Sequence, residues 1–153
     1  MQPKTCCVIG YGEIPFHRRD HVKRMLEWET NMALKAGYNT FLAENREGAG
    51  AFFAWQIAGR RGELPEIFLE LVVTRRCEKI DPELLSRCNA VKTLCDSGRR
   101  GYLLSVTRYL IGQADRVIVV YAKGAARDTA YAVNYARVME RELRFIKTYN
   151  QST

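Results

Sequence analysis

No stretch of the 153-residue chain approaches the roughly 18 consecutive apolar residues of a membrane-spanning helix. Met1-Gln2-Pro3-Lys4 leads into an apolar run that stops at Gly10, too brief and wrongly flanked for a signal peptide. A cytoplasmic protein is the expectation. The five cysteines (Cys6, Cys7, Cys77, Cys88, Cys95) are odd in number and form no Cys-x-x-Cys pair, which argues against a disulfide framework or a zinc site. Cys6 and Cys7 sit inside an apolar run and read as small buried hydrophobes. His17 and His21 lie four apart beside Asp20, but no third metal ligand accompanies them, and a helix cap is the simpler reading. No Gly-x-x-x-x-Gly-Lys-Ser/Thr string is present, so a P-loop is excluded. Neither metal nor cofactor is expected.

What remains is an ordinary globular composition, 47% hydrophobic and 27% charged, in a chain long enough to bury a core without staples. No repeat, linker or low-complexity tract divides it. One domain over residues 1–149 is expected, with a flexible tail at 150–153.

Short β-rich runs alternate with helical periodicity. Thr5 to Gly10 is a compact apolar strand, and a helix follows from Asp20 to Ala36, capped by Asp20 and ended by Gly37. Tyr38 to Ala43 is the second strand, Ala49 to Arg61 a helix, and Ile67 to Val73 the third strand. Asp81 caps a short helix that starts at Pro82. Ala90 to Cys95 is a weaker strand, Tyr102 to Gln113 a helix, and Arg116 to Tyr121 the clearest strand of all. Thr129 to Glu142 reads as the last helix and Leu143 to Ile146 as the last strand. Such alternation indicates βαβ units, hence an α/β, Rossmann-like three-layer sandwich with a mainly parallel sheet of about six strands.

In such a sheet, ligands bind beyond the carboxyl ends of the strands. Three connections there carry glycine: Gly10-Tyr11-Gly12, the stretch Glu44 to Gly50, and the stretch Ala122 to Thr129 with Lys123 and Arg127. Glycine lets backbone approach a phosphate, and the next helix offers free N–H groups. Any one of these loops is also an ordinary turn; three at one edge point to a ligand. The net charge of +7 favours an anion, and much of it comes in Arg pairs. Arg18-Arg19, Arg75-Arg76 and Arg99-Arg100 belong on this edge, while Arg60-Arg61 ends a helix at the opposite one and complements its dipole. Gly10-Tyr11-Gly12 lacks the third glycine of Gly-x-Gly-x-x-Gly, which disfavours dinucleotide binding.

The strand order, with Thr5-Cys6-Cys7-Val8-Ile9-Gly10 first and Ala114-Asp115-Arg116-Val117-Ile118-Val119-Val120-Tyr121 late, resembles the SLOG superfamily of Smf- and LOG-related domains. Thr129-Ala130-Tyr131-Ala132-Val133-Asn134-Tyr135-Ala136 is most similar to its branch of small YpsA-like bacterial proteins. The ligand edge departs from that branch. Tyr11 and Gly12 stand for a His-Arg, Glu44, Arg46 and Gly50 for a glycine, an alanine and an aspartate, and Trp55 for a glutamate. A Pro-Gly-Gly-Thr turn becomes Ala126-Arg127-Asp128-Thr129.

The resemblance implies a nucleotide or nucleotide-derivative binding or sensor domain. The site residues expected are Gly10, Tyr11, Gly12, Glu44, Arg46, Gly48, Arg75, Gly124, Arg127, Asp128 and Thr129. A phosphoribohydrolase-like enzyme is one alternative, although the family's catalytic string is missing and Glu44 reads as a surface carboxylate. A nucleic-acid-binding module is another, with the basic charge for it and the missing recognition motifs against it. The apolar run Ala51-Phe52-Phe53-Ala54-Trp55 marks a possible subunit interface, and a homo-oligomer is expected.

Overall fold

The computed structural model describes residues 4–74, 79–94, 99–122 and 124–148, with the side chains of 99–103 outside that description. Arg75, Arg76, Cys77, Cys95, Lys123 and the tail beyond 148 therefore fall outside the described residues. The elements are β1 (Lys4–Gly10), α1 (Arg19–Lys35), β2 (Tyr38–Glu44), α2 (Ala49–Arg61), β3 (Phe68–Thr74) and α3 (Pro82–Arg87). They continue with β4 (Ala90–Leu94), α4 (Arg99–Gln113), β5 (Arg116–Tyr121), α5 (Ala126–Val138) and β6 (Glu142–Lys147). All six strands are parallel and lie in the order β4-β3-β2-β1-β5-β6. This is the α/β sandwich that the alternation of patterns implied.

The order explains the layers. The chain steps outward from β1 to β4, returns across the sheet through α4, and then steps the other way. Right-handed crossovers in opposite directions must use opposite faces. One apolar cluster accordingly joins α1, α2 and α3 to the sheet through Leu26, Phe53, Ile57, Leu84, Phe41 and Leu71. The other joins α4 and α5 to it through Val106, Leu110, Val133, Cys7, Leu42 and Val72. Strand residues alternate between the two clusters, as a sheet covered on both faces requires. Cys6 and Cys7 are fully buried, one on each face, and burial pushes the Cys6 thiol up to about 12.

Most boundaries fall within one residue of expectation, and those at α1, α4 and α5 change how a residue is used. Helix α1 starts at Arg19 with Arg18 as its cap residue, so Asp20 lies in the first turn and supplies charge rather than a capping bond. Helix α4 begins at Arg99, which places Arg99-Arg100 inside its first turn. Helix α5 runs from Ala126 to Val138 rather than from Thr129 to Glu142. At its start no side chain caps the helix, and the Thr129 hydroxyl donates back to Ala125 O at 2.7 Å. At its end Glu140 takes the left-handed conformation (φ 59°) that glycine usually supplies, and Arg141 N–H bonds back to Ala136 O at 2.8 Å. Asp81 caps α3 as expected, accepting from Glu83 and Leu84 N–H.

Arg60 and Arg61 do more than complement a dipole. Arg60 reaches Asn31 and Glu27 on α1, and Arg61 bonds the carbonyls of Ile67 and Arg87. The segment Ala51 to Trp55 is not an exposed patch either. Phe53 and Ala54 are fully buried, and only Trp55 is exposed.

The start of α2 sits unusually close to the strand ends. A Cβ on Gly50 would lie 2.5 Å from Glu44 O, and one on Gly10 would lie 2.7 Å from Ala49 Cβ. Gly59, further along α2, faces open space. Gly50→Ala is therefore expected to destabilise the fold by about 1–3 kcal/mol through overpacking. Gly59→Ala should stabilise it by about 0.5–1 kcal/mol through helix propensity. Urea unfolding midpoints check both, and equal effects of the two substitutions would contradict the close contact.

Candidate functional site at the carboxyl edge of the sheet

Two concavities lie at the carboxyl ends of β1 and β2. The larger is a cleft of about 300 Å³ between the β1–α1 and β2–α2 turns. Gly12, Glu13 and Ile14 form one wall, Glu47, Gly48 and Phe52 the other, and Arg19 of α1 closes the side. Gly12 (φ 80°) and Gly48 (φ 106°) adopt backbone conformations that side chains disfavour, so both turns depend on glycine for their shape. The lining carries one cation against two carboxylates. It is mixed in charge rather than electropositive.

The smaller concavity is a slot with about 10 Å³ of free room, lined by Gly10, Tyr11, Glu44, Arg46, Val106 and Leu110 among others. It opens on the α4 side because β-strand alternation turns Tyr11 and Glu44 to the face of Ile9 and Leu42. Tyr11 is buried, and its hydroxyl is hydrogen-bonded to that of Thr107 on α4. Burial drives the Tyr11 hydroxyl far above its ordinary pKa, so it stays neutral. Arg46 lies over the Tyr11 ring, 5.9 Å from its centroid, and its Nε is 3.3 Å from Glu44 Oε2.

Glu44 is not the surface carboxylate expected. It is 7% exposed, because α4 crosses the sheet above it. Burial raises its pKa, and the Arg46 charge offsets this only in part.

The expected site residues thus separate. Gly10, Tyr11, Gly12, Glu44, Arg46 and Gly48 line the cleft or the slot. Gly10 owes its identity to packing against Ala49 as much as to any ligand. Arg127 and Asp128 are exposed in the first turn of α5 and line neither concavity, nor do Gly124 and Thr129. Asp128 remains close enough for its charge to act on Tyr11. The β1–α1 and β2–α2 turns are the two that line these concavities. Arg18 is turned away to donate to Thr148 O at 2.6 Å, whereas Arg19 faces the cleft.

Glu13, Glu47 and Phe52 were not singled out as ligand residues, since charged turn residues and an apolar helix face have commoner explanations. Comparison with known proteins adds no identification: no family model and no curated protein sequence matches the chain.

The raised Glu44 pKa has a consequence for stability. The folded chain retains this proton at pH values where the unfolded chain, with a pKa near 4.5, has released it. Raising the pH through that window therefore favours unfolding at this residue. Glu44→Gln lacks the titration, so its stability relative to wild type should grow as pH rises above about 4.5, then level off. Urea midpoints of both proteins between pH 4 and 8 measure this. A difference that shrinks with rising pH would contradict it.

Proposed function

We propose that this chain is a SLOG-like domain that binds a nucleotide or nucleotide-derived anion in the cleft, and that it acts as a ligand sensor rather than as a catalyst. The observation that carries the reading is the cleft itself. About 300 Å³ lies at the small end of ligand pockets, the size of a mononucleotide rather than a dinucleotide. It stands at the carboxyl edge, where doubly wound sheets take their ligands. Arg19 offers a charge-assisted bond to a phosphate, and Phe52 offers a ring to a base. The carboxylates of Glu13 and Glu47 accept from amino or hydroxyl groups and disfavour a second phosphate nearby. The family resemblance supports the same ligand class. A cytoplasmic setting, where nucleotides abound, fits this reading, and no helix among the described residues is long and apolar enough to cross a membrane.

Titration calorimetry with nucleoside mono-, di- and triphosphates tests the proposal. Saturable binding of a monophosphate is expected, tightest among the three. Arg19→Ala is expected to weaken it about tenfold or more, the usual scale for a hydrogen bond to a charged group. No binding by any member of the panel would overturn the reading.

A further inference from the structure

The slot holds a polar atom that the fold leaves unsatisfied. Glu44 Oε2 is buried and accepts no well-formed hydrogen bond, although Arg46 stands 3.3 Å away. The other buried glutamate among the described residues, Glu29, is 2% exposed and takes two contacts from Arg144 Nε, at 3.0 and 3.4 Å. Glu44 is thus the exception, and an unsatisfied buried carboxylate is costly enough to require a reason. Thr74 Oγ1, at the end of the neighbouring strand and on the same face, is also buried without a hydrogen bond.

The free room of about 10 Å³ beside Glu44 is that of a single oxygen atom, a water or one hydroxyl. The slot's other walls restrict the occupant further. Val106 and Leu110 offer no polar group, and the Tyr11 hydroxyl is already engaged with Thr107. The occupant must donate, because an ionised carboxylate only accepts. An anion is repelled by Glu44, and an ammonium group would meet the Arg46 guanidinium. A neutral hydroxyl fits both neighbours. The slot also adjoins the cleft along the chain: Tyr11 and Arg46 line the slot, and the next residues, Gly12 and Glu47, line the cleft.

We infer that Glu44 is a specificity subsite, accepting a hydrogen bond from one sugar hydroxyl of an anion seated in the cleft, so that the ligand class is the ribonucleotide rather than the deoxynucleotide. This rests on the nucleotide-binding reading above and names the part of the ligand that the cleft alone does not select.

The test is calorimetric titration of the full chain with AMP, 2′-deoxy-AMP and 3′-deoxy-AMP, on wild type, Glu44→Gln and Glu44→Ala. Chromatography of the recovered nucleotide accompanies each titration. One deoxy analogue is expected to bind wild type about 10- to 100-fold more weakly than AMP, the range for a hydrogen bond to a charged acceptor. Glu44→Ala should remove that preference, and Glu44→Gln should reduce it, while the disfavoured analogue binds all three proteins alike. The comparison of ligands on wild type stands even if a variant fails to fold. Equal binding of AMP and both deoxy analogues to wild type would overturn the subsite and leave nucleotide binding intact. No binding of any of the three would overturn both. Recovery of free adenine with ribose 5-phosphate would also overturn it, because Glu44 would then be acting as an acid–base group.

Discussion

The site depends on how closely α2 approaches the ends of β1 and β2. Gly10 and Gly50 let the helix start almost in contact with strand backbone, within a distance that leaves no space for a side chain. That contact brings the β2–α2 turn alongside the β1–α1 turn and leaves the cleft between them. It also sets the start of α2 against the backbone of Glu44. Helix packing and cleft shape are consequences of one close approach, so two glycines that resemble phosphate-binding residues in the sequence act first as packing residues.

Charge is distributed to match. At the amino edge of the sheet Arg116 pairs with Glu142 through two contacts of 3.2 Å and lies over the Tyr38 ring, closing that end. Glu29 and Arg144 tie α1 to β6. In each pair the buried member, Arg116 or Glu29, meets a well-oriented partner, as a buried ion requires. Glu44 and Arg46 at the carboxyl edge do not reach that standard. The rule that ligands sit where strand order reverses would place the site between β1 and β5. There, however, Tyr11 and Ala125 are buried in a common apolar cluster. The open cleft lies one strand over.

Most of the fold was legible because each strand is a short apolar run and each helix a periodic one. Strand order was not, since it depends on where α4 lands, and α4 decides both the burial of Glu44 and the Tyr11–Thr107 pair formed across 96 residues. A carboxylate at a strand end looks solvated until the covering helix is in place. The displaced α5 has a local cause: Glu140 adopts a backbone conformation that the sequence would have signalled only with glycine. Phe52 was read as part of an apolar surface because it neighbours Phe53, which belongs to the core. Gly12, Gly48 and Arg19 were visible beforehand as turn glycines and half of an Arg pair. Their meeting in one cleft needed three dimensions.

On the proposed reading, ligand sits between the β1–α1 and β2–α2 turns. Amide chemical shifts of the ¹⁵N-labelled chain during titration with AMP test it most directly. The largest saturable changes should fall on Gly12, Glu13, Glu47 and Gly48. Changes centred instead on the first turn of α5, from Ala126 to Thr129, would contradict it.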